Sequence, residues 1–348
     1  MRNNELVTVA QLTGFDEVID VRSEAEFAED HIPGAINLPA LNNEERARVG
    51  TLYTQVSPFD AKKIGAALIS RNIARHLDET LSNRPRNWKP LVYCWRGGQR
   101  SDAFTTVLQH IGWRANRLAG GYKAYRHAVI DELAVLPAQF NWRVVCGMTG
   151  AGKSRLLRAL AKAGAQVLDL EALAAHRGSV LGNLPGAPQP AQKMFESLVW
   201  HALRTFDRAR PVFVESESKK IGNLRTPEAL IEAMWAADCI NLSAPTELRV
   251  QMLMHEYVHL VRDPAALGER LDRLRQLHGH ERIASWKAMS IAGDTGTLVR
   301  ELLELHYDPA YTRSILKHYK KLAQGLKIEV QRDDDAEFDR LAAICIGA

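Results

Sequence analysis

One cysteine stands where a predicted strand passes into a glycine-containing loop. The apolar run 91–93 predicts the strand, and Cys94 opens the loop 94–100, which holds two glycines and two arginines. An amphipathic segment from Ser101 then predicts a helix. A helix N-terminus and nearby cations favour the thiolate, and glycines let backbone N–H groups turn toward an anion. We therefore interpret Cys94 as a nucleophile, although most free cysteines are buried packing residues.

A second strand–loop–helix pattern carries a phosphate-binding motif. The run 142–146 predicts a strand, residues 147–154 match G-x-x-x-x-G-K-S, and a helix is expected from Arg155 to Ala163. In this pattern the backbone N–H groups wrap phosphate oxygens, the lysine adds a positive charge, and the serine binds magnesium. The predicted phosphate-binding residues are Gly147, Thr149, Gly150, Ala151, Gly152, Lys153 and Ser154.

Acidic residues end two more predicted strands. The segments 166–171 and 211–217 are apolar runs that finish in carboxylates, and Glu215 stands where such a strand presents a carboxylate to a metal ion or a water molecule. The sequence thus allows a magnesium ion at this place, but it predicts no tightly bound cofactor. The following segment, 218–222, contains Lys219 and Lys220, which we expect to meet phosphate groups.

A basic region occupies the C-terminal part of the chain. Residues 245–322 are predicted to be helical and contain many arginines and histidines with acids among them, so an RNA-binding patch and a solvated helix face fit equally well. The candidate tRNA contacts inside and outside this region are Arg177, Lys219, Lys220, Arg270 and Arg273.

The same region contains a match to the zinc-protease motif H-E-x-x-H, at residues 255–259. No third ligand stands at a familiar spacing, and the segment lies inside the region of the phosphate loop. We interpret the match as accidental and predict no protein metal site of this kind.

Two α/β domains must position these groups. Residues 1–137 alternate short strands and helices, which predicts a small parallel-sheet domain, and residues 136–141 form a linker. Residues 138–348 predict an α/β domain of the P-loop NTPase type, with a mostly parallel sheet and a helical C-terminal segment.

Composition narrows the classes of protein further. With 46% hydrophobic and 25% charged residues, the chain is an ordinary globular protein. Its four cysteines lie far apart, which argues against a disulfide framework and fits a reducing compartment. The polar N-terminus and the lack of a long apolar run predict no signal peptide and no membrane association. A net charge of +4 does not by itself call for a nucleic-acid partner, and we expect a cytoplasmic monomer.

The N-terminal motifs resemble a rhodanese domain. They are Asp20-Val21-Arg22, His31-Ile32-Pro33-Gly34-Ala35, and the Cys94 loop that closes on Arg100-Ser101. The resemblance implies that Cys94 carries sulfur or selenium as a persulfide or perselenide. We predict structural roles for Asp20 and Arg22, as an ion pair, and for His31, as a group that fixes a turn by hydrogen bonding.

Taken together, the motifs are similar to those of the tRNA 2-selenouridine synthase family. The similarity is carried by residues 44–53, 94–101, 120–126 and 147–154, and it extends to about residue 225. It implies a tRNA with 2-thiouridine at the wobble position as substrate. It also implies geranyl diphosphate and selenophosphate as co-substrates, and the enzyme that supplies selenophosphate as a partner. In this scheme the sulfur is first geranylated, and selenium then displaces the geranylthio group.

The residues make chemical sense of that scheme. Arg96 and Arg100 would hold the anionic selenium donor. The phosphate loop would bind the diphosphate of the prenyl donor, because a diphosphate leaving group needs the same cradle as a nucleotide. Three alternatives stay open: a tRNA sulfurtransferase coupled to an ATP-dependent kinase or ATPase, a non-catalytic tRNA- or nucleotide-binding regulator, and a zinc hydrolase.

Overall fold

The computed structural model describes residues 6–179, 182 and 186–348, apart from the side chain of His259. The chain divides into two compact units. Unit 1 comprises the chain up to Glu132 together with Pro190–His201, and unit 2 comprises Leu133–Gln189 and Ala202–Ala348. The segment Pro190–His201 of unit 1 contains most of the helix Gln192–Thr205, whose last residues belong to unit 2.

Unit 1 is built on a five-stranded parallel sheet in the order β1-β5-β4-β2-β3. Its strands are β1 (Leu6–Val7), β2 (Glu17–Asp20), β3 (Ile36–Asn37), β4 (Pro90–Tyr93) and β5 (Asn116–Leu118). The helices that begin in its first segment are α1 (Glu24–Glu29), α2 (Asn43–Gln55), α3 (Pro58–His76), α4 (Gln99–Ile111) and α5 (Gly121–Leu133). The middle strand β4 is buried at every position, as its apolar sequence predicts.

Helix starts in unit 1 follow local capping rules. Ser23 and Asn42 each form a capping box with a glutamate three residues later, and Ser57 accepts a hydrogen bond at the start of α3, whose first residue is Pro58. The packed faces of α3 and α4 then meet β2 and β4 in one apolar core.

The predicted structural roles of three polar residues are confirmed. The Arg22 guanidinium donates to both oxygens of Asp20, at distances down to 2.6 Å, and to the Asp30 carbonyl, and both charged side chains are buried. His31 Nδ1 lies 2.8 Å from the Phe27 carbonyl, at the turn before β3.

Unit 2 has a second five-stranded parallel sheet, in the order β12-β11-β6-β8-β7. Its strands are β6 (Trp142–Cys146), β7 (Gln166–Leu168), β8 (Val212–Glu215), β11 (Asp238–Ser243) and β12 (Leu326–Glu329), and a separate antiparallel hairpin joins β9 (Lys220–Ile221) to β10 (Leu224–Arg225). The predicted fold class, a rhodanese-like α/β unit followed by a P-loop α/β unit, is confirmed.

The remaining helices lie wholly or partly in unit 2. They are α6 (Lys153–Lys162), α7 (Leu170–Leu173), α8 (Gln192–Thr205, which begins in unit 1), α9 (Glu228–Ala236), α10 (Thr246–Glu256), α11 (Val258–Val261), α12 (Pro264–Asp272), α13 (Arg275–Ala292), α14 (Thr295–Leu302), α15 (Asp308–His318) and α16 (Asp335–Gly347). Within the described part of the chain, none of these helices has the length and apolarity needed to cross a bilayer.

Some predicted boundaries differ from the structure for local reasons. The strand predicted over 166–171 stops at Leu168, because Asp169 accepts a hydrogen bond from the Ala172 N–H and caps α7. The helix after the cysteine loop begins at Gln99 and not at Ser101, and the helix after the phosphate loop begins at Lys153.

Candidate functional site

The Cys94 side chain lies at the junction of β4 and the N-terminus of α4. Its residue is only 3% exposed, and Sγ is 3.2 Å from the Ser101 hydroxyl oxygen. That hydroxyl also donates to the Gly98 carbonyl, at 3.1 Å. The Ser101 hydroxyl has a single proton, so it can donate either to the Gly98 carbonyl or, after rotation of the hydroxyl, to a sulfur anion on Cys94.

Backbone contacts hold the cysteine loop in place. The N–H groups of Tyr122 and Lys123 donate to the carbonyls of Cys94 and Trp95, at 2.8 and 3.0 Å. Gly121 makes this contact sterically possible: its φ is +58°, and a Cβ there would stand 2.6 Å from the Gly97 nitrogen and closer still to the Cys94 carbonyl. The Gly120-Gly121-Tyr122 sequence therefore shapes the loop from the start of α5.

The loop keeps unused donors. The N–H groups of Arg96, Gly97 and Gly98 donate no hydrogen bond to another described residue. Successive free N–H groups beside a helix N-terminus form an anion-binding site. The arrangement can stabilise a charged chalcogen on Cys94 or an anionic donor approaching it.

The two predicted arginines differ in environment. Arg96 is exposed, whereas the Arg100 guanidinium lies 3.1 Å from a carboxylate oxygen of Glu26. Burial of Glu26 favours its neutral form, but Arg100 opposes that effect and the net result is a lowered pKa. Part of the Arg100 charge is thus already compensated, and Arg96 is the more available cation.

In unit 2 the phosphate loop joins the central strand β6 to α6. Gly152, with a φ of +89°, precedes the first residue of α6, and a Cβ there would stand 2.6 Å from the Phe338 ring. Lys153 Nζ donates to the Gly147 carbonyl at 2.9 Å, and the Gly147 N–H donates to the Tyr311 hydroxyl at 2.6 Å. The loop is therefore closed at its base before any phosphate arrives.

A buried arginine supports the other side of this loop. Arg249, 3% exposed, donates to the Thr149 carbonyl at 2.9 Å and binds both carboxylate oxygens of Asp308, at 3.0 and 2.6 Å. An arginine pair with two parallel bonds fixes geometry as well as charge. It holds Thr149 to α10 and α15.

Three carboxylates meet at the carboxyl edge of the sheet. One oxygen from each of Glu171, Glu215 and Glu217 lies within 4.8 Å of the others, and the Ser154 hydroxyl donates to Glu171 at 3.1 Å. Strand register explains the meeting, since Glu215 pairs with Val145 at the end of β6, next to the phosphate loop.

The pKa values of these three carboxylates are raised above the ordinary value of a glutamate. Burial raises the pKa of Glu171 to about 7, although Lys153 and Ser154 oppose the rise. Burial and the Glu171 charge raise the pKa of Glu217 to about 8. Burial, the Glu171 charge and the Glu217 charge raise the pKa of Glu215 well above its ordinary value. One Glu215 oxygen is buried and has no hydrogen-bond partner among the described residues. Hard oxygen donors with an unsatisfied carboxylate fit a magnesium ion.

A cavity of about 840 Å³ joins these groups. Of the seven predicted phosphate-binding residues, five line it: Thr149, Gly150, Gly152, Lys153 and Ser154. Gly147 and Ala151 do not line it, because the Gly147 N–H is used by Tyr311 and Ala151 is buried in the core. The predicted carboxylate Glu215 lines it together with Glu171 and Glu217.

The candidate tRNA contacts have different local environments. Arg177 lines the cavity and pairs with Glu256 at 3.1 Å, with its guanidinium 4.8 Å from the Tyr257 ring centroid. Lys219 lies over the Trp235 ring, and Lys220 is exposed on the hairpin. Arg270 is in the last turn of α12 and Arg273 directly follows that helix, so the five residues come from separate elements of unit 2, and their role in tRNA binding stays a prediction.

The H-E-x-x-H match is not one helix. His255 lies in the last turn of α10, which ends at Glu256. Tyr257 then has non-helical φ and ψ of −105° and 28°, and α11 begins at Val258. His255 Nδ1 lies 2.9 Å from an Asp333 carboxylate oxygen. The break removes the one-turn spacing that a zinc-protease helix requires, and the side chain of His259 lies outside the described part of the structure.

Several residues of both sites carry no local sequence signal for their role. Arg249 and Tyr311 come from helices about 100 and 160 residues beyond the loop that they hold. The acids Glu171 and Glu217 were visible at strand ends, but only strand order shows that they meet Glu215. Gly121 stands in the segment 120–126 that carries the family similarity, but no local pattern shows that it contacts the Cys94 loop.

Comparisons with known proteins agree with this architecture. The Rhodanese-like domain family matches residues 6–128, and the tRNA 2-selenouridine synthase AAA domain matches residues 140–272. The tRNA 2-selenouridine synthase of Aeromonas salmonicida is 33% identical over 323 residues, covering 84% of this chain and 86% of that protein. That of Alcanivorax borkumensis is 33% identical over 345 residues, covering 90% and 93%, and that of Sulfurovum sp. is 37% identical over 247 residues, covering 69% and 66%. The predicted resemblance is confirmed, and the chain belongs to the tRNA 2-selenouridine synthase family.

Proposed function

We propose that this chain converts 2-thiouridine at the wobble position of tRNA into 2-selenouridine in two steps at two sites. The first step attaches a geranyl group to the sulfur at the phosphate loop, and the second replaces the geranylthio group with selenium at the Cys94 loop. The observation that carries the proposal is a pair of anion sites with different chemistry on one chain: a thiol beside free N–H groups, and a lysine loop beside carboxylates.

In the first step the 2-thiouridine sulfur attacks C1 of geranyl diphosphate. A C–S bond forms, the C–O bond to the diphosphate breaks, and the base loses its N3 proton to solvent. Lys153 and the loop N–H groups stabilise the diphosphate as it leaves. A magnesium ion, when bound, would be held by Ser154 and the three glutamates and would add positive charge at the departing diphosphate.

In the second step selenium reaches C2 of the uracil ring from a perselenide on Cys94. The terminal selenium attacks C2, and the geranylthiolate leaves. A small thiol then cleaves the S–Se bond, which releases selenouridine and leaves a mixed disulfide on Cys94. Selenide, formed when water splits the P–Se bond of selenophosphate to give phosphate, attacks that disulfide at Cys94, restores the perselenide and frees the thiol. The first perselenide forms in the same way, after Cys94 has exchanged with the disulfide form of the small thiol, which is the oxidant for this single loading step.

The test is nucleoside mass spectrometry of 2-thiolated tRNA incubated with the protein, geranyl diphosphate, selenophosphate and a thiol, with each donor omitted in turn. Geranylthiouridine is expected without selenophosphate, and selenouridine when it is supplied. Lys153→Ala should abolish geranylation. Cys94→Ala should abolish selenation and let geranylated tRNA accumulate.

Two outcomes would overturn the proposal. If Cys94→Ala also stopped geranylation, the division of labour between the sites would be wrong. If neither nucleoside formed, and ATP supported sulfur transfer instead, the function would be that of a tRNA sulfurtransferase coupled to an ATPase.

A further inference from the structure

The phosphate-loop cavity has an apolar neighbour within unit 2. A smaller pocket of about 70 Å³ is lined mainly by aliphatic side chains of α10, α11, α12 and α14, among them Leu253, Leu260, Leu298, Val299 and Leu302. We call it the apolar pocket. The leucines at 260, 298 and 302 also belong to the apolar core of these helices, so the pocket is bounded by packed core side chains.

The apolar pocket and the phosphate-loop cavity share part of their lining. Thr149 of the phosphate loop, Leu253 of α10 and Tyr257 line both, and so do Ser179 and Tyr307. The hydroxyls of Tyr257 and Tyr307 interact with the Ser179 side chain, so the phenols have a polar partner at this boundary. Beyond the boundary the lining is almost entirely hydrocarbon.

A ligand that extends from the phosphate loop into this pocket must be charged at one end and apolar at the other. Its head faces Lys153, loop N–H groups and carboxylates, and its other end meets aliphatic side chains. A ribose or a base placed in the apolar pocket would lose hydrogen bonds to water without replacing them. A hydrocarbon chain on a diphosphate meets both environments favourably.

We propose that the apolar pocket binds the terminal isoprenoid unit of the prenyl diphosphate and limits the length of the chain that the protein accepts. This inference rests on the proposed function and deepens it. A volume of about 70 Å³ is roughly half of the ~150 Å³ cavity that encloses a benzene ring. It therefore holds only the branched end of the chain, and the part nearer the diphosphate lies in the larger cavity.

Val299 is the residue of choice for a test, because it lines the pocket on α14 but is only partly buried and lies outside the apolar core. Val299→Phe fills the pocket and Val299→Ala enlarges it. Ile291→Phe, at a position 76% exposed near the end of α13, is the matched control for a new aromatic ring.

The measurement is the calorimetric Kd of the full-length protein for pyrophosphate and for dimethylallyl, geranyl and farnesyl diphosphates, without tRNA. Wild type should bind geranyl diphosphate at least roughly tenfold more tightly than pyrophosphate, since two buried methylene groups account for about that factor. Val299→Phe should remove this gain, and Val299→Ala should raise the affinity for the farnesyl compound relative to the geranyl compound by about tenfold. Pyrophosphate affinity should stay unchanged in all variants.

The outcomes separate this inference from the proposed function. If the geranyl chain added no affinity over pyrophosphate, or if both Val299 variants kept the wild-type order of chain lengths, the pocket assignment would be wrong whatever tRNA product forms. If chain-length binding changed as expected but no geranylated tRNA appeared, the pocket would stand and the proposed reaction would fail.

Discussion

The Cys94 loop of unit 1 and the phosphate loop of unit 2 have the same local plan with opposite surroundings. Each follows the buried strand of a parallel sheet, turns through glycines and ends at a helix N-terminus. The Cys94 loop has an exposed arginine and, among the described residues, three N–H groups without a hydrogen-bond acceptor in the loop that follows the thiol. The phosphate loop has a lysine hydrogen-bonded to its own backbone and three carboxylates beside it.

The difference shows what each site must bring from outside. The Cys94 loop is ready for an anion, because its donors are unused and its nearby acid, Glu26, is neutralised by Arg100. Three carboxylates lie beside the phosphate loop, and protons or a cation must offset their negative charge before a diphosphate can bind. Backbone geometry alone thus does not decide the ligand, and the side chains around the helix N-terminus do.

The largest expected effect tests the backbone clamp of the Cys94 loop. Gly121→Ala should lower the rate of selenation by roughly a hundredfold or more, because a Cβ at φ +58° overlaps the Cys94 carbonyl and the Gly97 nitrogen and displaces the loop. Geranylation should change little. Both rates are measured by nucleoside mass spectrometry on the same tRNA.

Gly112→Ala provides the matched control. Gly112 has a φ of +110° at the end of α4, but a Cβ there meets no atom within 4 Å. Its replacement carries only the backbone strain, about 1–3 kcal/mol. Equal losses of selenation in the two variants would mean that instability of unit 1, and not loop geometry, is responsible.

The fold of both units and the existence of both loops could be predicted from the sequence. Apolar runs ending in Cys94 and Cys146, each followed by a glycine loop and a helical pattern, specify strand–loop–helix units by local rules. The ion pair of Asp20 and Arg22 was predictable for the same reason, since the two residues are separated by one position on a strand end.

The supports of the phosphate loop could not be predicted. Arg249 and Tyr311 contact it only because helices far along the chain pack beside it, and the pattern of a polar helix face does not show which arginine is buried. The candidate tRNA contacts show the same limit: the sequence shows their charges, but not that Arg177 pairs with Glu256 or that Lys219 lies over the Trp235 ring. Long-range packing decided these cases.

An intermediate effect tests the charge of the phosphate loop. Glu171 and Glu217 have folded-state pKa values of about 7 and 8, above the ordinary 4.5. The folded protein therefore holds more protons than the unfolded chain between about pH 4.5 and 8, so the free energy of unfolding falls as pH rises through that window. The Tm of the full-length protein, measured by calorimetry without magnesium, should fall by roughly 5 °C or more over this range. Added Mg²⁺ should restore it at pH 8 but have little effect at pH 5.5.

Glu217→Gln should flatten this pH dependence and weaken the response to magnesium. Glu247→Gln, which removes an exposed carboxylate paired with Arg300, should leave both unchanged. A Tm that rises with pH without magnesium, or an equal magnesium effect at both pH values, would contradict the raised pKa values of these carboxylates.

The smallest expected effect concerns the charge balance at the Cys94 loop. In the wild-type protein the Ser23 nitrogen lies 3.2 Å from a Glu26 carboxylate oxygen, to which it donates. Glu26→Gln removes the negative partner of Arg100 but keeps an oxygen that can accept this hydrogen bond. The freed guanidinium should lower the KM for selenophosphate by about two- to threefold at low salt, and less at high salt. Because the pair is partly exposed, the free energy of unfolding should change by less than about 1 kcal/mol.

Two controls show whether this effect runs through Arg100. Glu29→Gln breaks a more exposed pair with Lys193 at the end of the same helix, and should leave the KM unchanged. In an Arg100→Gln background, Glu26→Gln should have no further effect on the KM, since no cation is left to release. If it still lowered the KM by the same factor, the general loss of a negative charge would explain the change, and Arg96 with the loop N–H groups would be the sufficient anion site that the comparison of the two loops suggests.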